Sequence, residues 1–152
     1  MTSHPLPEPV DVARTRRAEL LAAMSALERA LAAPARDPAW AARVQARTDR
    51  LASSFDDHVA ATEGPDGMYG DILRTAPRLN FAVARLGSEH DDIRISISAL
   101  AKLVGDLSGP DPDAIERIRD EGTNLLARLG RHRQRGADLV FEAYAQDIGG
   151  CD

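Results

Sequence analysis

His58, His90 and His132 are the residues of this chain best placed to do chemistry, because each interrupts a stretch that otherwise repeats apolar residues at helical spacing. A helical residue turns about 100° from its neighbour, so His58 falls about 20° from Leu51, between Val44 and Phe55. His90 falls about 40° from Leu86, beside Ile93 and Ile97, and His132 about 20° from Leu125, beside Leu129. All three are expected to point inward. His58 lies 21 residues after Asp37, His132 lies 21 after Asp111, His90 lies 21 before Asp111, and Arg17 lies 20 before Asp37. At about 1.5 Å per residue, all four stand roughly 30 Å from the turns at Asp37 and Asp111. Three histidines and one arginine should therefore meet in one layer. A lone histidine on an apolar face is ordinarily a hydrogen-bonded core residue. Three at one height read as a metal site, since imidazole is the commonest transition-metal ligand and bundles build such sites from facing helices. A buried hydrogen-bonded cluster is the alternative.

The elements that must carry this layer are four helices. From Asp11 to Ala32, Leu20, Met24, Leu27 and Leu31 form one stripe, which Pro34 ends. Asp37 and Pro38 offer an N-cap and a first helical residue for the second, whose stripe is Trp40, Val44, Leu51 and Phe55. The turn-rich GPDGMYGDILRTAP follows, with a short helix expected at Asp71 to Thr75. The third long helix runs from about Pro77 to Val104 with Leu79, Leu86, Ile93, Ile97, Leu100 and Val104 on one face. Asp111 and Pro112 repeat the start signal for a last helix carrying Ile118, Leu125, Leu129, Leu139 and Ala143 and ending near DIGG.

The chain also repeats itself. Leu20, Met24, Leu27 and Leu31 match Ile93, Ile97, Leu100 and Val104 at an offset of 73. Asp37, Pro38, Val44, Leu51, Phe55 and His58 match Asp111, Pro112, Ile118, Leu125, Leu129 and His132 at an offset of 74. The expected fold is all-α: two pseudo-repeated helical hairpins forming an up-down-up-down four-helix bundle over residues 11–149. Residues 1–10 read as a disordered arm and 150–152 as a tail.

FDDHVAATEGPDGMY, LGSEHDDI and LGRHRQRGADLVF, on the second, third and fourth helices, resemble the hemerythrin-like, or HHE cation-binding, family over most of the chain. The resemblance implies a four-helix bundle holding a carboxylate-bridged non-haem di-iron centre that binds oxygen or responds to nitric oxide, peroxide or iron. His58, His90 and His132 stand at the family's histidine positions. The chain departs from the pattern at Arg17, where a histidine is expected, and at Thr62 and Gly136, four residues after His58 and His132, where Thr62 replaces the family's ligand glutamate. Arg94 stands where some members carry a second histidine. Without bridging carboxylates the charge of two irons is poorly balanced, and an adjacent arginine worsens it. Glu63, about 120° from the stripe but at a helix end, and Glu89, about 60° from it, are the substitute acid ligands. Either could instead neutralise Arg17.

The expected site is thus His58, His90 and His132 with Glu63 and Glu89, backed by Arg17 and Thr62. It would hold one or two non-haem irons, or zinc, and take a diatomic gas or peroxide, with Arg17 steadying a bound anion. The rival readings are a metal-free degenerate bundle acting as an interaction or regulatory module, and a metal-dependent enzyme acting on a small organic substrate. The enzyme needs a cavity, for which Thr62, Gly87 and Gly136 would leave room. Tyr69 and Tyr144 could reach an entrance to the site, but packing or hydrogen bonding is the preferred reading of both.

Composition narrows the remaining classes. The chain has 152 residues, 43% hydrophobic and 28% charged, enough for one ordinary core. Its net charge of −5, with arginines interspersed among acids, argues against nucleic acid. MTSHPLPEPV lacks the apolar core of a signal peptide, and no run of apolar residues reaches membrane-spanning length. One cysteine, Cys151, favours a reducing compartment, and the expected location is cytoplasmic. Oligomeric state is left open by the sequence.

Overall fold

A computed structural model describes residues 5–145, which contain helices and turns and no strand. Helix α1 spans Glu8–Ala32, α2 Trp40–Glu63, α3 Met68–Thr75, α4 Asn80–Gly105 and α5 Pro112–Val140. A 3-10 turn at Pro77–Leu79 leads into α4, and a π turn at Phe141–Ala145 continues α5. Four long helices thus form a bundle, and α3 is a short fifth element.

The helix ends follow local chemistry. α1 starts at Glu8 rather than Asp11, so the expected arm of residues 1–10 is three residues too long. Val10 is fully buried in an apolar cluster with Leu139 and Ala143, which draws that turn into the helix, and Glu8 and Asp11 suit its positive N-terminal end. Ala33 is extended, as the residue before a proline prefers, and α1 stops there. Asp37 does not cap α2. Its Oδ1 accepts from Ala39 N–H at 2.9 Å and its Oδ2 accepts from Arg43 at 2.9 Å, bracing a turn before the helix begins at Trp40. Asp111 is the expected cap of α5, accepting from the N–H groups of Asp113 at 3.1 Å and Ala114 at 3.4 Å. Gly109, at φ 80°, provides the left-handed turn before it. The short helix begins three residues before Asp71, at Met68. The expected end of the last helix near DIGG and the tail at 150–152 lie outside the described residues.

Every apolar residue of the four stripes is buried. They form two clusters. The larger includes Leu20, Leu27, Trp40, Leu51, Phe55, Ile93, Leu100, Ile118 and Leu129. The second gathers Val10, Met68, Tyr69, Ile72, Leu79, Leu86 and Leu139 beneath α3. α1 packs on α2 and α5, and α4 packs on α2 and α5. At one end Arg119 of α5 donates to the Leu31 and Ala33 carbonyls at 3.0 Å each, satisfying the open end of α1, and lies over the Trp40 ring at 5.4 Å. No helix is long and apolar enough to cross a membrane among the described residues.

Candidate metal centre

His58 of α2, His90 of α4 and His132 of α5 are 3%, 0% and 2% exposed. They occupy the seam between the two apolar clusters. The Nε2 atoms of His58 and His132 are 3.2 Å apart, and one ring nitrogen from each of the three lies within 4.8 Å of the others. Ring centroids are separated by 5.3 Å for His58–His90, 5.4 Å for His58–His132 and 4.9 Å for His90–His132. Phe55 forms the floor, stacked on His58 and edge-on to His90 and His132. Three buried histidines therefore lie close enough to bind a metal ion.

The outward nitrogens face acids. His90 Nδ1 is 3.1 Å from Glu63 Oε1, and His132 Nδ1 is 3.6 Å from Glu89 Oε2. Neither contact is a well-aligned hydrogen bond, and the Nδ1 of His58 has no partner. Glu89 is itself held by Arg135, whose Nε reaches Oε1 at 2.6 Å and whose second nitrogen reaches Oε2 at 2.8 Å. On the inner side, the Tyr69 hydroxyl is 3.4 Å from His90 Nε2, and the two rings lie 11° from parallel.

Burial controls the charge state. It pushes His58 and His90 down to about 3, with repulsion from His132 adding to both. Burial lowers His132 as well, against an opposing pull from Glu89. The three imidazoles are neutral near pH 7, each with a lone pair, which is the form that ligates metal. Burial raises Glu63, helped by Asp91. Burial acts upward on Glu89 too, but Arg135 and His132 outweigh it and hold the carboxyl below its ordinary value. Burial also raises the Tyr69 phenol, with the neighbouring Thr62 side chain acting in the opposite direction.

These residues fit a metal ion. Zinc–imidazole bonds of about 2.05 Å in a tetrahedron put neighbouring nitrogens roughly 3.3 Å apart. The His58–His132 separation of 3.2 Å is close to that edge.

The other expected residues are placed less simply. Arg17 is half-buried, and its charge acts on His58, but it pairs with neither Glu63 nor Glu89. Its own pKa is lowered, first by burial and then by Arg133 and Arg14. Thr62 Oγ1 donates to carbonyls of its own helix, His58 at 3.0 Å and Val59 at 3.1 Å. Room left by Gly87 is taken by Glu63, whose Oε1 lies 3.1 Å from where a Cβ would be. Gly136 faces open space. The surface clefts, such as one of about 350 Å³ between Trp40, Leu107 and Ile115, are lined by other residues. Tyr69 is the member of the cluster that sequence reasoning undervalued. With the short helix begun at Asp71, Tyr69 fell in the preceding turn; the signal was Met68, Tyr69 and Ile72, which share one helical face.

The chain matches no family model, no curated protein and no solved structure.

Proposed function

We propose that this chain is a hemerythrin-like protein that holds non-haem iron, with zinc as the second choice, through His58, His90 and His132, and uses it to bind or sense O2, NO or peroxide. The observation that carries this reading is the arrangement of nitrogens: Nε2 atoms of His58 and His132 at 3.2 Å inside, and the Nδ1 atoms of His90 and His132 turned toward Glu63 and Glu89 outside. Metal-bound histidines are typically oriented in this way by an outer carboxylate.

The bundle proposed for the site is up-down-up-down. Arg128 bonds Ser96 while Arg135 bonds Glu89, so positions rise along α5 as they fall along α4, as in an antiparallel pair. Leu31 meets Arg119 and Val10 shares a cluster with Leu139, which supports the same relation for α1 and α5. A pseudo-two-fold is supported by the meeting of His58 and His132, which occupy matching positions of the repeat.

The residues divide the work by position. His58, His90 and His132 hold the ion, which when bound offers open coordination positions and redox chemistry to a small ligand. Glu63 and Glu89 hold the rings of His90 and His132 and balance positive charge. Their engagement at Nδ1, with Thr62 on the backbone, favours one ion over a bridged pair. Arg17 adds positive potential beside His58 and favours an anionic ligand. The apolar floor at Phe55 and the α3 cover keep water out.

A second reading, a metal-free regulatory bundle, is favoured by the His58–His132 contact itself, because two neutral imidazoles satisfy one another with one proton. Elemental analysis of protein purified without a metal-affinity tag separates the two. About one iron per chain, lost in His90→Ala, is expected on the first. No metal after anaerobic reconstitution with iron or zinc rejects it in favour of the second.

A further inference from the structure

We propose that Tyr69 is a fourth ligand of the same centre, binding the ion as a phenolate through its hydroxyl oxygen beside His90 Nε2. The proposal rests on the metal reading above and adds a residue to it.

Three observations carry it. The nitrogens of His90 and His132 are sorted alike: each Nδ1 faces an acid at the outer side, Glu63 or Glu89, which leaves Nε2 as the inward nitrogen. His132 Nε2 meets His58, and His90 Nε2 meets the Tyr69 hydroxyl. The second separation, 3.4 Å, is of the same size as the first, 3.2 Å, and both suit adjacent ligands of one ion. Finally, Tyr69 is only 6% exposed, and its ring is held nearly parallel to that of His90. Its hydroxyl is thus delivered to the inner side of the layer by α3, which carries no other polar group to it. Tyr144 donates to Asp71 of α3 and Arg78 donates to the Glu142 carbonyl at 3.2 Å, tying the cover to the end of α5.

A phenolate would also supply the anionic donor that Thr62 and Gly136 do not. On binding, the O–H bond breaks, its proton passes to solvent, and the oxygen's electron pair goes to the metal. No electron is gained or lost in that step.

The chain has two tyrosines, so the test is clean. The protein is loaded anaerobically with iron(II), oxidised in air and examined by visible absorption and resonance Raman spectroscopy. The expected result is a phenolate-to-iron(III) charge-transfer band with enhanced tyrosine ring modes. Tyr69→Phe should lose the band while retaining at least half of the bound iron, and Tyr144→Phe should keep it. The Tyr144→Phe result assigns the band even if Tyr69→Phe does not fold. Iron bound without a phenolate band, or a band that survives Tyr69→Phe or disappears only in Tyr144→Phe, overturns the Tyr69 assignment and leaves the histidine site standing. No bound metal in the wild-type chain overturns both.

Discussion

His58 and His132 are 74 residues apart in the chain and present Nε2 to Nε2 at 3.2 Å in the interior. Each is buried, each is pushed toward its neutral form, and they come from different helices. The outer contacts set the tautomers: Nδ1 of His132 faces Glu89, so its Nε2 is the acceptor and His58 Nε2 is the donor in the metal-free protein. His58 Nδ1 is then left buried with no partner. Such an atom costs about 1–3 kcal/mol.

Replacing His58 by leucine removes that unpartnered nitrogen and continues the apolar core around Phe55. The metal-free His58→Leu protein exchanges that orphan for another, the Nε2 of His132, which loses its donor, so its stability should stay within about 2 kcal/mol of the parent. Metal binding should be lost. Urea unfolding of both proteins in chelator checks the first part, and a drop in stability beyond about 2 kcal/mol would show the cluster to be a well-satisfied polar core.

Acid should destabilise the metal-free fold early. His58 and His90 titrate near 6.5 when unfolded and near 3 when folded, so the unfolded chain binds more protons between those values. Their contribution is therefore whole above about pH 6.5 and shrinks as pH falls toward 3, by about 1.4 kcal/mol per pH unit for each histidine in mid-range. Denaturant midpoints measured from pH 7.5 to 4.5 in chelator test this. A flat profile would mean that the histidines are solvated.

Glu89 is 16% exposed on its side chain, against 40% for Glu63, and only Glu89 is clamped by an arginine. Glu89→Gln should weaken metal affinity by about 10–100-fold, the usual effect of losing the outer partner of a ligating histidine. Glu63→Gln should do less. Competition with a chromophoric chelator gives both numbers, and equal effects would argue that the carboxylates ligate directly.

Arg119 closes the open end of α1 by two hydrogen bonds and covers Trp40. Arg119→Ala should cost about 2–3 kcal/mol of stability at any pH from 6 to 8, with metal affinity unchanged, because it acts at the opposite end of the bundle. Gly130→Ala gives the opposite sign. Nothing lies within 4 Å of its missing Cβ in the middle of α5, so alanine should add about 1 kcal/mol. Thermal melts of both variants suffice.

The sequence by itself determined the stripes, because residues buried on one face of a helix recur with its 3.6-residue turn, and that period is written in the chain. Leu20, Leu51, Ile93 and Leu125 could be assigned to the interior on periodicity alone, and all are buried. The same arithmetic put His58, His90 and His132 at one height, since rise per residue is constant. Helix ends were less legible at Asp37 and Glu8. There a side chain that braces a turn moved the start of α2 by two residues, and a valine pulled into a distant cluster moved the start of α1 by three.

Only the tertiary structure decided which partners each nitrogen has. Glu63, Glu89 and Arg17 all lay near enough in sequence to the layer to compete for one another. Side-chain direction and the approach of α5 selected Arg135 for Glu89 and left Arg17 without an acid. Tyr69 reached His90 because α3 folds back over the end of the bundle. That fold-back depends on contacts between residues far apart in the chain, and helical period and rise describe one helix at a time.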